Sequence, residues 1–185
     1  MEKEIVVLVV GHNSVSKGAY SNILKISEYD YNLEVANKVL ARQNELKYNI
    51  RVLFRKPNPS YSYQMKELLG ELDKEKYKVA VELHFNAPAK IDDTETQGAL
   101  ALCYYKNEKA KEIINKYFEA IKKYRPNHII RGIIPSKTEK DRGGYGICNS
   151  KGTYILVEPF FANNKENVLS IDEYVEVLMT FINSL

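Results

Sequence analysis

The chain has 185 residues, and its 27 basic and 24 acidic side chains leave a net charge of +3. With 44% apolar and 28% charged residues the composition is that of a globular protein, which excludes a disordered tail, and the length suits one domain with a substantial core. A charge this close to zero, with no Lys/Arg block, carries no nucleic-acid or anionic-membrane signal, and the longest N-terminal apolar run, Ile5 to Val10, is too short for a signal-peptide core or a membrane span.

Strand and helix signals alternate along the chain. Ile5 to Val10 is a continuous β-branched run, as expected of a strand buried on both faces, and it stops at Gly11-His12-Asn13-Ser14. A helix is predicted from about Tyr31 to Leu46, with Leu33, Ala36, Val39 and Leu40 on one face. A short strand, Ile50 to Phe54, and a Lys56–Ser60 loop follow, then a second helix from about Tyr61 to Asp73 that Gly70 weakens. Val79 to Phe85 reads as another buried strand, stopped by Asn86-Ala87-Pro88, and Gly98 to Tyr105 as the next. Ala110, Ile113, Ile114, Tyr117, Phe118 and Ile121 give the 106–124 segment a clear helical stripe, which Pro126 ends. The Gly-, Lys- and Asp-rich segment 127–152 reads mainly as loop, with room for a short strand. Tyr154 to Val157 is a strand and Ile171 to Ile182 an amphipathic closing helix. The alternation predicts an α/β fold: a single three-layer domain with a mostly parallel twisted sheet between helices.

In open α/β sheets, sites gather outside the carboxyl ends of strands. Three predicted strands end at ionisable groups: Val10 leads to His12, Leu83 to His84 and Val157 to Glu158, while Glu28 precedes the first predicted helix. Two histidines and two carboxylates at one sheet edge have the composition of a catalytic zinc site, three protein ligands plus a base. There is no HExxH helix, and taken singly the histidines also read as hydrogen-bonded loop residues. Glu28 alone also reads as a solvated carboxylate favoured at a helix start. Glu158 stands between Ile155-Leu156-Val157 and Pro159-Phe160-Phe161, where an unpaired carboxylate is costly, so it wants a metal, a cation or a raised pKa. Cys103 and Cys148 form no CxxC or Cys-His cluster and are expected to be reduced and structural.

Gly11-His12-Asn13 with Gly18-Ala19, Glu28-Tyr29-Asp30-Tyr31-Asn32-Leu33, Glu82-Leu83-His84-Phe85-Asn86-Ala87, Gly98, and Leu156-Val157-Glu158-Pro159-Phe160-Phe161-Ala162-Asn163 occur in this order. That set resembles the zinc-dependent N-acetylmuramoyl-L-alanine amidases of the amidase-3 family, and it is most similar to the catalytic domain of phage endolysins. The resemblance covers nearly the whole chain, which makes residues 1–185 one amidase-3-like catalytic domain. It implies one zinc ion per chain held by His12, Glu28 and His84, with Glu158 as the catalytic carboxylate. Two positions depart from the family pattern: Asn13-Ser14 follows the first histidine where many members have a second glycine, and Glu82 stands where many have serine.

The substrate implied is peptidoglycan, and the bond is the amide between N-acetylmuramic acid and L-alanine of the stem peptide. Zinc activates water and polarises the carbonyl, while Glu158 carries the proton from water to the departing amine. The role implied is that of a phage endolysin or a bacterial autolysin, acting as a monomer. It is expected to be made in the cytoplasm without a signal peptide and to act on the cell wall after release, or to be the catalytic part of a longer lysin. Another zinc hydrolase on this scaffold, such as a carboxypeptidase acting on stem peptides, and a non-catalytic wall-binding relic are the alternatives. Asn86 is expected to form a turn, Arg142 to be a solvated loop residue, the Asp141–Gly146 loop to rim the cleft without cradling phosphate, and His128 to lie on a surface loop. The 14 tyrosines, Tyr117 and Tyr174 among them, read as core and rim packing.

Overall fold

The computed structural model describes residues 3–90 and 92–185. Its elements in chain order are β1 (Ile5–Val10), a hairpin of β2 (Tyr20–Ser21) and β3 (Ile26–Ser27), α1 (Glu28–Ala41), a 3-10 turn at Gln43–Glu45, β4 (Asn49–Phe54), α2 (Tyr61–Leu72), β5 (Val79–Leu83), β6 (Ala99–Tyr104), α3 (Glu108–Tyr124), β7 (Ile130–Ser136), α4 (Gly144–Asn149), β8 (Tyr154–Glu158) and α5 (Ile171–Ser184). Six strands form one sheet in the order β4-β1-β5-β8-β6-β7. Every neighbouring pair is parallel except β6 and β8, so the sheet is mostly parallel, as predicted.

Alternation along β1 divides the core. Val6, Leu8 and Val10 face a layer built from α1, α3 and α5, while Val7 and Val9 face α2 and α4. Both faces are thus covered, which is why the strand is apolar throughout rather than at every second residue. The tyrosines behave as read: Tyr117 and Tyr174 are fully buried, with their hydroxyls 3.1 Å apart. Cys103 is buried in β6 and Cys148 lies on α4, both as free thiols.

Three sequence expectations need correction. The first helix begins at Glu28, three residues before the predicted start, and ends at Ala41 rather than Leu46. Its cap is Ser27, whose side chain accepts from the Asp30 backbone N–H, so Glu28 is the first helical residue rather than one preceding the helix. The 127–152 segment is not mainly loop, because it carries β7 and α4. Gly132 and Pro135 obscured β7, yet both are tolerated in an edge strand, where one side needs no ladder. Finally, His128 is buried, with Nε2 2.8 Å from the Pro159 carbonyl oxygen to which it donates.

Burial holds the His128 imidazole below its ordinary pKa, although the Pro159 contact opposes this. The unfolded chain therefore takes up a proton near pH 6.5 that the native chain refuses, and stability falls as pH drops below that value. His128→Gln keeps a donor toward Pro159 but does not titrate. Denaturant midpoints should fall less in this variant than in the parent between about pH 7.5 and 5.5; an equal fall would remove His128 from the acid response.

Candidate active site

The carboxyl ends of β1, β5 and β8 deliver the first three groups. After Val10, Gly11 N–H donates to the Leu83 carbonyl at 3.0 Å, so β1 stays tied to β5 for one further residue. His12 then turns out of the sheet with φ 65°, a left-handed conformation that costs a non-glycine residue roughly 1–2 kcal/mol. Two contacts hold that turn. Arg55 Nε donates to the His12 carbonyl at 3.1 Å, and Asn13 Oδ1 accepts from the backbone N–H groups of Val15 and Ser16 at 3.0 and 2.8 Å. Asn13 therefore closes the turn with its side chain.

Glu28 reaches the same point from the start of α1. Its Oε2 lies 3.0 Å from His12 Nε2 and its Oε1 lies 2.7 Å from His84 Nδ1. Backbone N–H groups of Ala19 and Phe85 also donate to the carboxylate, each at 3.2 Å. Burial pushes the Glu28 carboxyl up, but the two histidines outweigh it and hold the value at about 2. One ligand atom each from His12, Glu28 and His84 lies within 4.8 Å of the others, a two-nitrogen, one-oxygen donor set that fits zinc and could hold one ion. Glycines make room for it: a Cβ on Gly11 would meet His84 Cε1 at 2.5 Å, and one on Gly18, at φ +76°, would meet Glu28 Oε2 and His12 Nε2 at 2.6 Å.

Behind this cluster sits Glu82, which sequence reasoning noted as a departure but gave no role. Its buried carboxylate places Oε1 3.2 Å from His84 Nε2, and its Oε2 accepts from the Tyr154 hydroxyl at 3.0 Å. Carboxylates face both ring nitrogens of His84, Glu28 at Nδ1 and Glu82 at Nε2, and against the effect of burial they hold its pKa up at about 10. The only available signal was the alternation of β5, since Glu82 and His84 lie two residues apart.

Glu158, the last residue of β8, is 3% exposed and lines the same cleft of about 630 Å³ as the three candidate ligands. Its Oε1 accepts from Arg142 Nη2, while Oε2 is buried with no hydrogen-bond partner among the described residues. Burial pushes the carboxyl above its ordinary value, and the Arg142 charge only partly offsets this. Arg142 is thus not merely a solvated loop residue; it also donates to Asn86 Oδ1 at 3.1 Å. Asn86 keeps its predicted turn role, with Oδ1 accepting from Ala87 N–H at 2.9 Å, and its backbone additionally pairs with Phe160 and Ala162 beyond β8. The structure brings all four predicted site residues into one cleft.

The N-acetylmuramoyl-L-alanine amidase family model matches residues 6–176. Among solved structures, the N-acetylmuramoyl-L-alanine amidase from Clostridium difficile 630 shares the fold with a TM-score of 0.74 at 21% identity, over 100% of this chain and 95% of that one. The catalytic domain of the CD27L endolysin targeting Clostridia difficile gives 0.74 at 21% identity, over 97% of each chain. The catalytic domain of CwlV, an amidase from Bacillus (Paenibacillus) polymyxa var. colistinus, gives 0.74 at 17%, over 97% and 94%. No curated protein sequence matches the chain. Identities this low show a shared fold, and membership rests on the family match: the chain belongs to the N-acetylmuramoyl-L-alanine amidase family and is a peptidoglycan amidase.

The crowding at Gly18 has a measurable consequence. In Gly18→Ala the added methyl occupies the space of the Glu28 and His12 donor atoms, so zinc uptake by dialysed protein should fall at least tenfold, about 1.4 kcal/mol or more. Thermal unfolding should shift only by the roughly 1–2 kcal/mol of a left-handed alanine. Undiminished zinc uptake would show that the two side chains are not held where they are drawn together.

Proposed function

We propose that this amidase cleaves the bond between N-acetylmuramic acid and L-alanine with one zinc ion held by His12, Glu28 and His84, and with Glu158 as the proton carrier. The observation that carries this reading is the closeness of the three donor atoms in the cleft that Glu158 lines. When bound, zinc supplies a Lewis acid that polarises the amide carbonyl and acidifies water. Glu158 takes the proton from the attacking water and passes it to the amide nitrogen as the C–N bond breaks. The products are a lactyl carboxylate and a free L-alanine amine. A raised pKa suits the second half of that task, and Arg142, itself held by Asn86, keeps the carboxylate aimed. His12, Glu28 and His84 would hold the ion, and Glu82 would then take the remaining N–H of His84 at Nε2.

Residues 1–185 act on this reading as one monomeric catalytic unit on the cell wall, as an endolysin or autolysin. The shared fold of the CD27L endolysin domain and the Clostridium difficile amidase supports that role, and no described helix is long and apolar enough to cross a membrane. A wall-binding relic would have no use for a buried, half-unpartnered Glu158 beside three metal donors.

Digestion of purified peptidoglycan should release new L-alanine amino termini and no new reducing sugar ends; the converse pattern would overturn the bond assignment. Protein prepared without chelators should carry close to one zinc per chain, and His84→Ala should lose most of it. Glu158→Gln keeps the volume but cannot accept the proton, so turnover should fall about 10²- to 10⁴-fold, roughly 3 to 5 kcal/mol of barrier, with zinc content unchanged. Loss of zinc along with activity would instead make Glu158 a ligand.

A further inference from the structure

The net charge of +3 conceals a division of the chain. Between Tyr104 and Thr153, from the end of β6 to the start of β8, twelve basic side chains stand against five acidic ones, a net charge of +7. The remaining 135 residues carry fifteen against nineteen, a net charge of −4. The basic segment folds as one flank of the molecule: α3 packs on one face of β6, α4 packs on the other, and β7 is the edge of the sheet. A flank of one sign carries its own field, whatever the total charge of the protein.

That flank holds a cavity of about 750 Å³ that the amidase reaction does not use. It is lined by Tyr104 at the end of β6, Lys137 just after β7, and Lys151 and Thr153 just before β8. Because β6 and β8 are antiparallel, these positions lie at the end of the sheet opposite Glu158. The short helix α4 separates the two sites: Arg142 and Gly143 before it line the catalytic cleft, and Cys148 and Asn149 on it line this cavity. Lys137, with Lys106 and Lys140 in the adjoining segments, is exposed and makes no ion pair among the described residues. Lys151 is 81% exposed and has Asp73 as a partner at 3.0 Å. The nearby acids do little to offset them. Asp141 already accepts from the backbone N–H groups of Lys137 and Thr138 at 2.6 and 2.9 Å, which leaves Glu139 as the acid that lines the cavity.

We propose that this cavity and its lysines bind a polyol phosphate chain, a phosphodiester polymer of the cell wall, and so hold the enzyme to an anionic wall while the cleft stays free. Exposed ammonium groups on flexible stems act as point charges, which suits repeated phosphates better than a single planar carboxylate. Thr138, Ser150 and Thr153 add hydroxyls along the cavity for the polyol. Tyr104 is the one aromatic residue in its lining, so bases would find no platform of rings on which to stack, and a polyol chain fits better than a nucleic acid.

The test measures binding of a fluorescently labelled glycerol phosphate oligomer to the full chain by anisotropy, a readout that needs neither zinc nor turnover. Affinity should fall roughly twenty- to fiftyfold between about 50 and 200 mM salt, as release of three or four counterions requires. Replacing Lys106, Lys137 and Lys140 together by Gln should weaken binding at least about tenfold at low salt, while thermal unfolding and cleavage of a short soluble muramoyl peptide stay unchanged. Removing the same charge outside the flank, with Lys3→Gln, Lys47→Gln and Lys66→Gln, should leave binding within about twofold. An equal loss from both triple variants, or binding indifferent to salt, would overturn the proposal. So would a single-stranded oligonucleotide with the same number of phosphates that binds the parent more tightly than the polyol phosphate does.

Discussion

Everything at this end of the sheet depends on one carboxylate set between two imidazoles. Glu28 sits between His12 and His84, with one oxygen to each, and two backbone N–H groups fix the carboxylate from the other side. A buried carboxylate is costly unless its lone pairs are filled, and here every neighbouring element contributes to filling them. The left-handed turn at His12, the glycines at 11 and 18, the hairpin before α1 and the cap at Ser27 are all arranged around that contact. Moving Glu28 by one helical residue would point it elsewhere and leave two histidines without a shared acceptor.

The cleft then separates two acids by their surroundings. Glu28 is buried but held at about 2 by its histidines, so it stays charged and suited to a cation. Glu158 is equally buried, yet its charged partner is a single, 54% exposed arginine whose field water screens, and its carboxyl rises. On the proposed roles, two groups of one chemistry take opposite tasks, holding and proton transfer, because one is surrounded by donors and the other is left half-unpartnered.

Much of this was legible because buried parallel strands write themselves as apolar runs. Val10, Leu83 and Val157 mark where the chain leaves the sheet, and the ionisable residue just beyond each marks the site edge. What escaped has physical reasons. The start of α1 was hidden because Glu28 and Asp30 are polar, so the apolar stripe begins only at Tyr31 while the cap acts at Ser27. β7 was hidden by a glycine and a proline that only an edge strand tolerates. His128 looked exposed because its neighbours are Pro126 and Asn127, and its burial comes from Pro159, which lies far along the chain. The Arg142–Glu158 pair spans 16 residues and a helix, beyond any local pattern.

The single antiparallel strand explains why the cleft has a groove on one side. β4, β1, β5 and β8 all point their carboxyl ends at the site, so the residues after them, Arg55, His12, His84 and the end of β8 at Glu158, gather there. β6 runs the other way, with Leu100 opposite Glu158, and β7 follows β6. At that flank the site is therefore bordered by the amino-terminal ends of strands. The segment between His84 and Ala99 must travel along the sheet edge to enter β6, and the beginning of β7 brings Arg131 to the same edge. A fully parallel sheet would have sent both segments to the opposite end and put the segments that follow β6 and β7 beside Glu158 instead. Reversing one strand thus gives that flank of the cleft a walled groove, with Arg131 over the Phe161 ring on its far side.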